Sequence, residues 1–239
     1  TAIICENGAV CGVDVRGSAP GTRETDLLRG YNSVTGINAV MLCGGSAFGL
    51  DAASGAMRYL EERGLGVDVG TGVVPIVPAA VIFDLGVGDS SIRPTKDDGY
   101  AACLDAKAGV YSTGRVGVGT GATVGKAFGP KFAMSSGIGS SCIDIGGGVK
   151  IGALVAVNAL GDVYNPETGC IVAGARDGDG FLNCMSMTSK SAAPAGFTNT
   201  TIGVIATNAS LTREEANKIA SMGHDGLAMT IKPVHTHLD

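Results

Sequence analysis

Glycine constrains this chain more than any other residue type. It fills 39 of 239 positions, more than twice its usual share of about 7%, and is interleaved with short runs of Val, Ile and Ala. Residues without a side chain let backbones approach closely and turn tightly. The pattern therefore predicts closely layered sheets and helices with many tight turns and with backbone exposed at sites. The apolar runs are frequent and periodic, unlike those of a disordered chain. Strands come in hairpins and long layers, while two good helices follow distant strands. That predicts α+β layers in a single domain, not a doubly wound parallel sheet.

Residues 1–5 and 10–15 read as two strands joined at Asn7-Gly8, a hairpin turn signal. A buried strand over 38–42 runs into Gly44-Gly45-Ser46, and a helix follows over 47–63 with Gly64 as its stop. Ser46 only superficially resembles a nucleophile elbow, because Phe48 stands where the second Gly is needed. It reads better as a helix N-cap. Strands are expected over 67–69 and 80–85, and a short helix over 97–106. Further strands fall at 135–145, 149–157 and 161–164. Thr212 and Glu215 form a capping box that opens a helix to about residue 229, burying Ile219, Met222 and Leu227.

The densest glycine cluster runs from Gly114 to Lys126. It fails as a Walker loop twice, with Thr120 at the first glycine position and Ala127 after the lysine. Gly117, Gly119 and Ala122 fit a dinucleotide string, but no clear strand precedes them and no long helix follows. What survives is a flexible backbone presenting one lysine, Lys126. The residues 177–180 hint at a calcium loop but lack its third acid and distant Glu, so they read as a surface turn.

Seventeen basic against 22 acidic residues give no electrostatic footprint for nucleic acid or an anionic membrane. The seven cysteines include no C-x-x-C pair, and Cys5, Cys43, Cys103, Cys142 and Cys170 lie among apolar or small residues. Reduced, buried thiols in a cytoplasmic protein are expected from this. No signal peptide or membrane-spanning run is found; the longest apolar stretch, 73–83, is short and carries Pro75 and Pro78. The sequence opens without Met inside a strand-like run, as expected of part of a longer reading frame.

Residues 199–207 form an apolar strand that opens on a hydroxyl residue, with Asn199 before Thr200 and a small-residue lead-in over 189–196. Locally this is an ordinary strand start. The functional reading is that Thr200 cuts its own chain at Asn199–Thr200 and then works as an N-terminal nucleophile. Its freed α-amine, with an ordinary pKa of roughly 7.7–8.0, would be the base for its own hydroxyl. At period two, His235, His237 and Asp239 of an extended tail would share one face, as the ligands of a metal-dependent hydrolase do.

Several segments together resemble the L-aminopeptidase/D-amidase-esterase family, which includes β-peptidyl aminopeptidases and nylon-oligomer hydrolases. They are residues 44–50, 114–126, 155–158, 199–202 with 204–208, and 233–239. The resemblance implies a four-layer αββα sandwich related to ornithine acetyltransferases. It also implies self-cleavage into 1–199 and a shorter chain starting at residue 200, tetramers of the cut heterodimer, small peptide or amide substrates, and no cofactor. Carried over residue by residue, Thr200 matches the nucleophile and Asn199 the residue before the cut. Asn158 matches the oxyanion-hole asparagine, Lys126 an active-site lysine and Asp239 the first of two acids beside the nucleophile. Phe83 stands where a tyrosine often offers its hydroxyl to the substrate, so that donor is missing. Bland roles stay open: Asn158 as a turn residue, Lys126 as a solvated loop charge, Asp239 as a capping group. An acyltransferase on the same scaffold, or an uncut assembly protein, is the alternative outcome.

Overall fold

The computed structural model describes residues 1–34, 36–109, 111–187, 199–237 and 239; the expected lead-in over 189–196 lies outside them. In chain order come β1 (Ala2–Val10), β2 (Thr22–Arg23), β3 (Gly36–Cys43), α1 (Ala52–Glu61), β4 (Val67–Asp68), β5 (Val73–Val74), β6 (Ala79–Val81) and α2 (Lys96–Asp105). There follow β7 (Thr123–Val124), β8 (Met134–Ser135), β9 (Ile138–Asp144), β10 (Lys150–Asn158), β11 (Asp162–Tyr164) and β12 (Ile171–Ala173). The last are β13 (Arg176–Asp177), β14 (Gly180–Phe181), β15 (Thr200–Thr207), α3 (Arg213–Thr230) and β16 (Ile231–Lys232).

β3 is apolar almost throughout, so both of its faces must be covered. Its sheet has the order β1-β3-β6-β2, with β3 and β6 parallel and the other pairs antiparallel. On one face Ala39, Met41 and Cys43 pack against Ala53, Ala56 and Leu60 of α1 and Cys103 of α2. On the other, Leu42 with Ile3 and Val40 meets Leu154 and Ala156 of β10 and Ile202 and Val204 of β15. Those strands belong to a second, antiparallel sheet of order β15-β10-β9. Ile205 lies on the opposite face of β15 from Val204, where it meets α3: a Cβ at Gly223 would stand 2.5 Å from Ile205 Cδ1. The layers thus run helix, sheet, sheet, helix, the α+β sandwich expected from the resemblance. Glycine allows the thinness: α1 and α2 cross where a Cβ on Gly55 would come 1.7 Å from Lys96 O and one on Gly99 1.9 Å from Ala52 O.

Local expectations fail where turn and burial signals serve another purpose. Asn7-Gly8 does not close a hairpin. β1 is one strand pairing β3 throughout, and a bulge between Ile4 and Ala9 absorbs the extra residues, with Gly8 at φ +73. The helix predicted from residue 47 starts as a 3-10 turn over Ser46–Asp51, so Ser46 is its first residue and Gly45, not Ser46, holds the N-cap position. Met222 is 55% exposed rather than buried. Cys43, Cys103 and Cys184 are buried, but Cys142 is exposed on β9, an edge strand with one buried residue, and Cys170 is exposed just ahead of β12. Among the described residues no helix is long and apolar enough to cross a membrane.

Candidate active site

Thr200 heads β15, and the antiparallel register sets it opposite Asn158, the last residue of β10. Asn158 is fully buried, so its amide must be satisfied inside the protein. Its Oδ1 accepts from Thr123 N at 3.0 Å and from Lys126 Nζ at 2.9 Å, while Nδ2 donates to Phe83 O at 2.7 Å. Two donors on one side and a carbonyl on the other fix which way the amide points. Asn158 is therefore no turn residue; it is the hub joining β7, β10 and the exit from β6.

Lys126 is no solvated loop charge either. Its Nζ also donates to Asn158 O at 2.8 Å, and burial pushes its pKa down to about 7 against the charges of Asp239 and Asp84, which pull it back up. Desolvation wins because an ammonium loses more by leaving water than two partly screened carboxylates return. The glycine run delivers this lysine by geometry. Gly125 has φ +72, and a Cβ there would stand 1.9 Å from Ala175 N. Gly125 N and Lys126 N donate to Gly161 O at 3.0 Å and Leu160 O at 2.8 Å. Ala175 is held in turn by Asp162, a fully buried carboxylate that accepts from Ala175 N at 2.8 Å and Cys184 N at 2.5 Å.

Asn199 is buried, and Thr200 Oγ1 donates to Asn199 O at 2.5 Å. The Phe83 side chain is half-buried, and its carbonyl contributes by anchoring Asn158. Asp239 Oδ2 caps Thr236 N, and its backbone O accepts from Ser18 N and Ala19 N at 2.9 Å. Asp239 thus caps the last turn of the tail, and its charge also acts on Lys126. Thr200 and Asp239 line an apolar cleft of about 650 Å³ between the first sheet, β15 and α3; Asn158 and Lys126 do not line it.

The tail is not extended. His235 has φ +50 and Asp239 N turns back to Thr236 O, so the shared face expected of His235, His237 and Asp239 does not form. His235 Nε2 instead meets His224 Nδ1 at 3.0 Å, and His237 is exposed. Among the described residues no three His, Cys, Asp or Glu side chains are grouped to hold a metal. Sequence reasoning missed Thr123 and Asp84. Asp84 directly follows Phe83, but neither residue belongs to a spacing that signals its place.

The family model described as Peptidase family S58 matches residues 1–239. An uncharacterized aminopeptidase of Mycobacterium tuberculosis is 47% identical over all of this chain and 70% of its own length. A 6-aminohexanoate-oligomer endohydrolase of Agromyces is 31% identical over the whole chain and 66% of its own length. A Burkholderia beta-aminopeptidase structure shares the fold with a TM-score of 0.64 at 18% identity; the match covers 97% of this chain but only 57% of that one.

Proposed function

Because the chain belongs to peptidase family S58, we propose that it hydrolyses amide bonds with Thr200 as an N-terminal nucleophile, released by cleavage of its own Asn199–Thr200 bond. The observation that carries this reading is the 2.5 Å approach of Thr200 Oγ1 to Asn199 O. It holds the hydroxyl beside the carbonyl it would attack, one strand pairing away from the Asn158–Lys126 cluster. Threonine restricts χ1, which keeps the hydroxyl in few orientations.

In self-processing, Thr200 Oγ1 adds to the Asn199 carbonyl carbon as its proton passes to a base. Lys126, with a pKa of about 7, is the group of this cluster able to take a proton near neutral pH. The Nδ2 edge of Asn158, its direction fixed by Lys126 and Thr123, donates to the oxyanion. The C–N bond breaks, leaving an ester on Oγ1 and a free α-amine, and water hydrolyses the ester to a carboxylate on Asn199. Substrate amides then follow the same path: the α-amine accepts the hydroxyl proton, an acyl-Thr200 forms, the amine product leaves, and water releases the acid.

The aminopeptidase relative's name supports small peptides with a free amino end as substrates, and the endohydrolase's name supports amide oligomers. Denaturing mass spectrometry of the purified protein should find a piece ending at Asn199 and another starting at Thr200, and one intact chain for Thr200→Ala. Amide turnover should accompany cleavage. An uncut wild-type protein that turns over substrate would refute this chemistry.

A further inference from the structure

Two histidines outside the Asn158–Lys126 cluster line the same cleft as Thr200 and Asp239, and no step above uses them. His224 lies on α3 and His235 on the tail. His224 Nδ1 stands 3.0 Å from His235 Nε2, with the ring centres 4.6 Å apart and 67° between their planes. The far side of the His224 ring decides which nitrogen carries the proton. His224 Nε2 faces the backbone carbonyl of Asp14 at 3.2 Å. A carbonyl only accepts, so neutral His224 is protonated at Nε2 and offers Nδ1 as a lone pair. His235 then donates its Nε2–H to that lone pair.

The Asp14 carbonyl that sets this order is itself fixed to α3. Val13 N donates to Asn217 Oδ1 at 3.1 Å, and Arg16 Nη2 donates to Asp14 Oδ2 and to Ser221 Oγ, each at 3.1 Å. A Cβ on Gly12 would stand 2.2 Å from Asn217 N, so this segment lies directly on the helix.

His235 is where the tail leaves an extended path. Its φ of +50 is a left-handed conformation that residues other than glycine adopt uncommonly and that persists where the surroundings hold it. The turn it begins closes at Asp239, whose side chain caps Thr236 N and whose carbonyl accepts from Ser18 N and Ala19 N. The turn is thus pinned at both ends, by the imidazole pair at its start and by residues 18–19 at its finish.

We propose that His224 and His235 are positioning residues: their hydrogen bond holds the tail turn that keeps Asp239 on the cleft that Thr200 lines. The effect on turnover rests on the amide-hydrolase reading above; the effect on Asp239 does not.

Two substitutions at one position separate the bond from the ring. His235→Gln keeps an N–H where Nε2 stands, whereas His235→Asn tolerates the left-handed φ but stops short of His224. Because a misplacement of about 1 Å can cost roughly a hundredfold, kcat for an aminoacyl p-nitroanilide should fall roughly ten- to hundredfold in His235→Asn, with KM little changed. His235→Gln should hold near the wild-type value. Asp239→Asn should lower kcat by itself, and adding His235→Asn should lower it no further, since residues acting as one unit are not additive. A second readout needs no turnover. Asp239 and Asp84 pull the Lys126 pKa up against burial, so releasing Asp239 should lower it. NMR titration of Lys126 in the uncut Thr200→Ala chain should show its midpoint drop below about 7 once His235→Asn is added, with circular dichroism checking the fold. Should His235→Asn not fold, His224→Phe, which fills the ring's space without an acceptor, is read the same way. An unmoved Lys126 midpoint overturns the proposal, as does a loss of kcat that His235→Gln shares or that multiplies with that of Asp239→Asn. Should the wild type turn over no amide, the hydrolase reading fails, while the titration still decides whether the pair holds Asp239.

Discussion

Lys126 makes the site pH-sensitive. Its folded-state pKa is lowered from 10.5 to about 7, chiefly by burial, so the unfolded chain binds more protons across that window. Stability contributed at this position therefore rises with pH between about 7 and 10.5, and the penalty for burying the charge is present in full below 7. The stability of Lys126→Met relative to wild type should be highest near pH 6 and decline as pH rises towards 10, read by urea denaturation across pH. If neutral lysine is the processing base, self-cleavage should speed up as pH rises through about 7. Asn158→Ala removes both the oxyanion donor and the acceptor that holds Lys126. Loss of one such donor costs about 2.7–4 kcal/mol, so kcat should drop roughly a hundredfold or more in steady-state assays. Sequence placed Lys126 on an exposed backbone loop. It could not show that Gly125 and Leu160 turn the lysine inward onto Asn158, because that depends on strands far apart in the chain.

Among the elements, helices were the most legible. The capping box expected of Thr212 with Glu215 forms, and the structure adds a second that the sequence reading did not name, Thr95 with Asp98 at the start of α2; each needs only residues three apart. Thr212→Ala should cost about 1 kcal/mol, seen as a lower urea midpoint with the slope unchanged. The 3.6-residue period located α3 but not the arc it buries. Gly223, one of two glycines on the helix, lies against Ile205, and Met222 is carried outward beside it. The tail was misread for a related reason. Alternation implies a shared face only in an extended strand, and the Thr236–Asp239 turn with the His224–His235 contact removes that condition.

In the molecule as a whole, the position proposed for the cut is heavily bridged. β15 pairs with β10 at eight successive residues, from Thr200 opposite Asn158 to Thr207 opposite Ile151. Arg213 of α3, a buried guanidinium, donates to the carbonyls of Arg29, Asn32 and Val34. Asp239 closes on Ser18 and Ala19. The two-sheet core is shared in the same way, with Ile202 and Val204 supplied from one side of the cut and Leu42 and Ala156 from the other.

This bridging makes melting a bimolecular event once the chain is severed. A nicked molecule must part into two strangers to unfold, so its Tm should climb with protein concentration. The Thr200→Ala chain, still continuous, should melt at one temperature whatever the dilution, unless it assembles further. A dilution series in a calorimeter would thus report on a single peptide link without any substrate, and the two pieces, made separately, should find each other and restore the fold.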